Sequence, residues 1–329
     1  MRVLSVAFPA IPVGTAVAAG AEQVLSMLDT GLVERGHHSV VIAAAGSKTA
    51  GQLVESCCHR KAIERVLHAG SVDLIHFHGL DFPQYLPETD LPMLATLHLP
   101  VSFYPEHTIE DCRSRGMVVN CVSRSQASSF PHLYGVPVIG NGIPTQFFVP
   151  DNPGGYVLWL GRICPEKGTH IALEAARRVD MPLVVAGPVH PYEAHRQYFS
   201  QCVEPWLDDK RRYIGPVGPE EKRRLLARAY CLLVPCFVAE TSSLLAMEAL
   251  SCGTPVVALR QGALPEIVDD GETGFIVDSA EKMCEAMTQA GCLSRRLCRE
   301  RAVERFDSRR MIENYLTLYR WMITRRSSS

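Results

Sequence analysis

The chain of 329 residues is long for one hydrophobic core and suits two domains of ordinary size. Hydrophobic residues make up 47% and charged residues 21%, which excludes a disordered chain, and a net charge of −2 argues against broad nucleic-acid binding. No segment reaches the roughly 18 uninterrupted apolar residues of a membrane helix, and Pro9 interrupts the first apolar run too early for a signal peptide.

Twelve cysteines are present, but no two of them form a Cys-x-x-Cys pair. Most stand singly in apolar runs, such as Cys121, Cys231 and Cys252. Reduced, mostly buried thiols of this kind are typical of a cytoplasmic protein, which is the location we expect.

The first half of the chain alternates short apolar runs with helical patterns. This alternation predicts a parallel sheet with helices on both faces. The predicted helices span residues 19–35 and 59–69, and the predicted strands span residues 3–8, 39–45, 72–78, 92–99, 117–123 and 136–140.

A second α/β series follows a turn-rich linker at residues 151–155. Its predicted strands span residues 156–161, 182–187, 211–215, 231–235, 255–259 and 274–278, and its predicted helices span residues 169–179, 219–229 and 241–253. We therefore expect Rossmann-like domains at residues 1–150 and 151–307, with parallel sheets facing across a cleft that holds the ligand. A final amphipathic helix within residues 308–329 is expected to pack back on the first domain.

The helix that begins near Ser242 is apolar on nearly every side but contains Glu248. A buried, unpaired carboxylate is costly, so Glu248 needs a partner in the protein or in a ligand. The first turn of this helix favours an anion, and Glu240 lies just before it. The segment suits a phosphorylated, hydroxyl-rich ligand. Alternatively, Thr241 or Ser242 simply caps the helix and Glu248 pairs with an arginine.

The loop after the strand that ends at Gly161 contains Arg162 and Lys167. Two fixed cations on one strand-to-helix loop can clamp a diphosphate, and arginine can bind it through two hydrogen bonds. The alternative is a solvated loop in which Glu166 pairs with one of the cations.

Several spaced motifs together resemble the family 4 glycosyltransferases, also called glycosyl transferases group 1. In the second half they are GRICPEKG (161–168), AGP (186–188), YIGPV (213–217), the pair Glu240-x7-Glu248, SCGTPVVA and DGETGF. Weaker matches in the first half are AAGAE (18–22), ERGHHSVVI, LIHFH, TLH and NGI, with Ala19-Gly20 where the family has Gly-Gly. The resemblance implies a GT-B fold and a retaining hexosyltransferase that uses a nucleotide-sugar donor.

The resemblance also implies roles for individual residues. Arg162 and Lys167 would bind the donor diphosphate, Glu240 the hydroxyls of the transferred sugar, Glu248 the ribose diol, and His98 would face the sugar from the first domain. The remaining donor-binding residues are Gly20, Gly161, Gly215, Val217, Ser242, Ser243 and Leu244.

The sequence has no Asp-x-Asp motif, which favours chemistry without a metal ion. No cofactor is expected, because the nucleotide sugar, most often a UDP-sugar in this family, is a substrate. The acceptor would be a small molecule or a glycan, and peripheral contact with a membrane stays open. Rival hypotheses are a nucleotide-sugar epimerase of the same fold and a catalytically silent nucleotide-sugar-binding module.

Two other groups of residues have a structural and a functional interpretation. His76 and His78 point the same way on a strand and could bind zinc, although a polar pair at a strand end is favoured. The arginine-rich stretch 295–310 is interpreted as a solvated helix face, and the alternative interpretation is weak attraction to anionic lipid.

Overall fold

The computed structural model describes residues 1–14, 19–105, 107–129 and 135–326. The chain folds into two compact units, which we call domain 1 (residues 1–143 and 308–329) and domain 2 (residues 144–307). The first boundary therefore follows Ile143, and the turn-rich segment 151–155 lies inside domain 2.

Domain 1 contains one six-stranded parallel sheet. Its elements are β1 (Arg2–Val6), α1 (Gly20–Glu34), β2 (His38–Ala43), β3 (Gln52–Glu55), α2 (His59–Ala69), β4 (Leu74–Phe77), β5 (Met93–Leu97), α3 (Thr108–Ser114), β6 (Val118–Cys121) and α4 (Arg124–Ser128). The strand order β3-β2-β1-β4-β5-β6 is that of a Rossmann fold.

Two strand predictions in domain 1 were wrong. β3 was not predicted from the sequence, because none of the four residues of this short edge strand is fully buried and it lacks an apolar run. Conversely, the predicted strand 136–140 forms only an isolated bridge between Val138 and Cys121. Pro137, which has no backbone N–H, restricts further pairing there.

Domain 2 contains a second six-stranded parallel sheet. Its elements are β7 (Val157–Leu160), α5 (Thr169–Arg178), β8 (Leu183–Ala186), α6 (Glu193–Tyr198), β9 (Arg211–Tyr213), α7 (Pro219–Arg228), β10 (Leu232–Val234), α8 (Leu244–Ser251), β11 (Val256–Leu259), α9 (Leu264–Ile267), β12 (Gly274–Val277), α10 (Ala280–Gln289) and α11 (Arg295–Phe306). The order β12-β11-β10-β7-β8-β9 is again that of a Rossmann fold. Ligands of such sheets bind at the point where the strand order reverses, which here lies between β7 and β10.

The last helix, α12 (Ser308–Arg326), belongs to domain 1. Its Tyr315 and Tyr319 are fully buried, and their hydroxyl groups lie 3.1 Å from Thr96 Oγ1 and 2.7 Å from His76 Nδ1. His76 Nε2 also contacts Thr96 Oγ1, at 2.7 Å. Both ring nitrogens of His76 therefore have protein partners, which argues against the zinc hypothesis for His76 and His78.

The arginine-rich stretch is only partly a solvated face. Arg296 pairs with Glu300 at 2.6 Å on the exposed side of α11, as its spacing predicts. Arg299 instead points inward and donates Nη1 hydrogen bonds to the carbonyl groups of Thr145, Phe148 and Ser251 at 2.5 to 2.9 Å. Through these hydrogen bonds Arg299 connects α11 to the first residues of domain 2 and to the end of α8.

Within the parts of the chain that the structure describes, no helix combines the length and the apolar character needed to cross a bilayer.

Candidate functional site

The strand ends of domain 2 meet at a point of close backbone packing. Gly187, which follows β8, has φ +136°, and a Cβ placed on it would lie 1.8 Å from the carbonyl oxygen of Gly161. Its N–H donates to the carbonyl of Gly215 at 2.8 Å. Gly187 thus brings together two predicted donor-binding residues, Gly161 after β7 and Gly215 after β9.

The loop after β7 packs directly on the loop after β10. Gly168 has φ +66°, and a Cβ on it would lie 2.1 Å from the carbonyl oxygen of Pro235. Across this contact Lys167 Nζ forms an ion pair with Glu240 Oε1. Burial lowers the pKa of Lys167, but the neighbouring carboxylate of Glu240 outweighs it and leaves the pKa raised, so the lysine is charged at neutral pH. Two predicted catalytic residues are therefore in direct contact.

Arg162 lies on the same loop and contacts Glu166, with 3.3 Å between Nη2 and Oε1. Both side chains are substantially exposed, so this pair is weak. Burial raises the pKa of Glu166, but hydrogen bonds to Cys164 and its own backbone, with Arg162 nearby, bring it below its usual value.

A group of metal-ligand type includes two residues of this loop and was not predicted from the sequence. Cys164, Glu166 and His195 place a sulfur, a carboxylate oxygen and a ring nitrogen within 4.8 Å of one another. Burial raises the pKa of the Cys164 thiol to about 11, so the thiol is protonated. Cys164 Sγ donates to the carbonyl of Arg162 at 3.4 Å and Arg162 lies beside Glu166, whereas His195 Nδ1 is buried and has no hydrogen-bond partner among the described residues.

The start of α8 offers groups to a ligand. The helix begins at Leu244, and its N-cap residue Ser243 makes no capping hydrogen bond through its side chain within the described structure. Ser242 Oγ is buried and also has no partner among the described residues. The first-turn N–H groups are therefore not engaged by the N-cap side chain, as an anion site requires.

Glu248 is buried in α8, and its partner is a lysine rather than the arginine of the alternative interpretation. Lys222 Nζ, on α7, lies 2.7 Å from Oε1 and 2.6 Å from Oε2 of Glu248. Burial raises the pKa of Glu248, and the ammonium group of Lys222 opposes that shift. No spacing rule connects two residues 26 positions apart on different helices, so the sequence alone could not identify the pair.

The remaining predicted residues lie elsewhere in the two domains. Val217 is in the loop between β9 and α7, together with Gly215. Gly20 begins α1 in domain 1, whereas Ala18 of the same motif lies outside the described residues. His98 follows β5, and its Nε2 lies 3.1 Å from His78 Nδ1. Desolvation lowers the pKa of His98 to about 4, so this side chain is neutral at pH 7.

Comparison with known proteins agrees with the motifs of domain 2. Residues 154–290 match the family model described as glycosyl transferases group 1. The D-inositol 3-phosphate glycosyltransferase of Corynebacterium efficiens is 35% identical over 145 residues, which cover 42% of this chain and 34% of the relative. That of Saccharomonospora viridis is 33% identical over 181 residues, covering 49% of this chain and 42% of the relative. The chain spans less than half the length of these curated relatives.

Solved structures match over nearly the whole chain. AviGT4, a glycosyltransferase of avilamycin A biosynthesis, has a TM-score of 0.75 at 23% identity and covers 98% of both chains. Sucrose-phosphate synthase from Thermosynechococcus elongatus has a TM-score of 0.77 at 19% identity, covering 98% of this chain and 100% of its own. Anabaena HepE in complex with UDP-glucose has a TM-score of 0.75 at 18% identity, covering 96% and 99%. Residues 154–290 therefore belong to the group 1 glycosyltransferases, and the chain has the GT-B fold of two Rossmann-like domains.

Proposed function

We propose that the protein is a retaining, metal-independent glycosyltransferase that transfers a hexose from a nucleotide sugar, preferably a UDP-sugar, to an acceptor hydroxyl. One observation carries the proposal. Where the strand order of domain 2 reverses, the loops after β7 and β10 bring Arg162, the Lys167–Glu240 pair and the start of α8 to one edge of the sheet. The complex of HepE with UDP-glucose supports the choice of donor. A small-molecule or glycan acceptor and a cytoplasmic location are part of the proposal.

The charges of the site suit departure of a nucleoside diphosphate. Breaking the anomeric bond places negative charge on the leaving diphosphate and positive character on the sugar ring. Arg162, Lys167 and the N-terminus of α8 would stabilise the diphosphate, and Glu240 would bind hydroxyls of the sugar. In our hypothesis, the departing phosphate accepts the acceptor proton on the same face, which retains the anomeric configuration.

The same cations would take the place of a metal ion. Many glycosyltransferases hold their metal with an Asp-x-Asp motif, which this sequence lacks. Transfer should therefore continue in the presence of EDTA, and strict dependence on an added divalent cation would contradict this part of the proposal.

A thermal-shift panel of UDP-, GDP- and ADP-sugars tests the donor site. A ligand at about 100 times its dissociation constant should add roughly 2.7 kcal/mol of stability. If none of these nucleotide sugars raises the melting temperature, the proposal fails.

Kinetics of two variants then test the diphosphate clamp. Arg162→Ala and Lys167→Ala should each reduce kcat by about 10²–10³, as loss of one preorganised donor does. The control is Arg178→Ala, an exposed arginine of α5 that pairs with Glu174, which should leave the rate unchanged. Near-normal turnover of either clamp variant would remove that residue from the mechanism.

The products distinguish transfer from the rival hypotheses. Release of UDP that requires an acceptor excludes the epimerase. Slow hydrolysis of the donor that is abolished by Glu240→Gln excludes a silent binding module.

A further inference from the structure

The ion pair between Lys222 and Glu248 lies next to the part of domain 2 that is predicted to hold the nucleoside. Lys222 is in the first turn of α7, a few residues after Gly215 and Val217, and its N–H donates to the carbonyl of Gly218 at 2.8 Å. The side chain of Lys222 is 20% exposed and that of Glu248 is 3% exposed. The loop predicted to contact the base thus continues directly into α7, whose Lys222 pairs with Glu248 of α8.

Lys222 is fixed from more than one side. Its Nζ lies 5.4 Å from the ring centroid of Phe148, a distance at which a cation and an aromatic face attract each other. Phe148 is itself buried, and its carbonyl accepts hydrogen bonds from Ser251 Oγ at 2.8 Å and Arg299 Nη1 at 2.5 Å. The position of the ammonium group is therefore fixed by contacts with the protein.

Glu248 retains capacity to accept hydrogen bonds. A carboxylate has about four acceptor positions, and one ammonium group beside both oxygens uses only part of them. Oε2 is buried, and no donor in the described structure reaches it with good hydrogen-bond geometry, although Nζ is 2.6 Å away. Two neighbouring hydroxyl groups, as on a ribose, match the unused capacity of the two oxygens.

We propose that Lys222 is a positioning residue, which holds the Glu248 carboxylate in the orientation and charge state that let it accept both ribose hydroxyls of the donor. The proposal rests on the function proposed above. In this arrangement Lys222 acts through Glu248 and remains paired with it when the nucleotide binds, so the site selects a ribonucleotide over its 2′-deoxy form.

The other titratable groups near Glu248 leave Lys222 as the main control of its charge. Cys252, one turn further along α8, is a neutral thiol, because burial raises its pKa to about 12. Arg223, the next residue of α7, pairs with Glu220 at 3.2 Å, and Arg299 of α11 donates to carbonyl groups. Since burial raises the pKa of Glu248 and Lys222 opposes it, a variant without the ammonium group should protonate Glu248 at a higher pH.

Calorimetric titration with UDP and 2′-deoxy-UDP between pH 6.5 and 9 tests the proposal. We compare the full chain with its K222M, K222R, E248Q and K222M/E248Q variants, and R223M is the matched control on the same helix. The ratio of variant to parent Kd at each pH cancels the titration of the nucleotide itself.

For K222M we expect UDP to bind at least tenfold more weakly at pH 6.5 and the ratio to fall towards 1 by pH 9. K222M should also lose the preference for UDP over 2′-deoxy-UDP at pH 6.5. K222R and R223M should stay within about threefold of the parent at every pH. In the E248Q background the K222M change should have no pH-dependent effect.

The failures of the two proposals are distinguishable. If the parent protein binds no nucleotide, the proposed function fails and this inference with it. If the parent binds UDP but K222M binds it equally well, or more weakly by a factor independent of pH, only the role of Lys222 is refuted. If K222M does not fold, K222Q, which keeps hydrogen-bond donors without the charge, carries the same expectations.

Discussion

Gly187→Ala should destabilise domain 2 by about 4 kcal/mol. The residue has φ +136°, where an L side chain costs about 1–3 kcal/mol. The added Cβ would lie 1.8 Å from the Gly161 carbonyl oxygen, and backbone shifts that relieve overpacking cost about 1–3 kcal/mol more. At about 2–4 °C per kcal/mol for a domain of this size, the melting temperature should fall by roughly 10 °C.

Two other glycines distinguish the cost of the positive φ from the cost of the steric overlap. Gly215 has φ +79° but no atom within 4 Å of a built Cβ, so Gly215→Ala should show the backbone cost alone, about 1 kcal/mol. Gly155 has neither a positive φ nor a close neighbour, so Gly155→Ala should be neutral or slightly stabilising.

Urea unfolding followed by tryptophan fluorescence measures these differences. Two of the three tryptophans, Trp159 and Trp206, lie in domain 2, so a Trp321→Phe background restricts the signal to that domain. If Gly187→Ala proves no less stable than Gly215→Ala, the close approach of Gly187 to Gly161 does not restrict this position and the reasoning is refuted.

Two further predictions concern stability. Burial lowers the pKa of His76 and His78 below 6.5, so the unfolded chain binds protons first as the pH falls. Domain 1 should therefore lose up to about 1.4 kcal/mol of stability per histidine per pH unit below pH 6.5. Urea midpoints at pH 7.5 and 5.5, read from Trp321 in a background with Trp159 and Trp206 replaced by Phe, should differ, and equal midpoints would contradict the burial of these rings. Arg299→Met should lower the stability of domain 2 by about 2–4 kcal/mol, because three carbonyl groups lose a charged donor. The control Arg296→Met, at an exposed position, should lower it by less than about 1 kcal/mol. Similar losses in the two variants would show that the inward contacts of Arg299 add no stability.

Two of the strands that the sequence predicted well are buried along their whole length. Leu183–Ala186 and Val256–Leu259 are continuous apolar runs, as is typical of central parallel strands. Both lie inside the sheet of domain 2. Gln52–Glu55 is an edge strand whose two end residues are exposed and whose two apolar residues are only half-buried, so it has no such run. The edge strand Gly274–Val277 was predicted from its apolar run, so the sequence pattern misses an edge strand only where such a run is lacking, as at Gln52–Glu55.

Candidate site residues were predictable where one loop or one motif contains them. The spacing of Arg162 and Lys167 on a strand-to-helix loop, and of Glu240 before α8, follows from local sequence. The partner of Glu248 does not, because Lys222 reaches it only through the packing of α7 on α8. Local sequence encodes which groups lie on a loop, whereas tertiary packing decides which charge compensates which.

The burial of the ion pairs determines how the proposed nucleotide-sugar donor would bind. Arg162 and Glu166 are exposed, and such a pair contributes at most about 1 kcal/mol, so a diphosphate can take the place of Glu166 at little cost. Lys222 and Glu248 are largely buried, and separating them would leave a charge without a partner in a place that water barely reaches. A nucleotide should therefore exchange partners at its diphosphate end and add hydrogen bonds to an intact pair at its ribose end. Affinity for the phosphates should then decrease with added salt, whereas the preference for a ribose should persist, because screening acts on exposed charges far more than on buried ones.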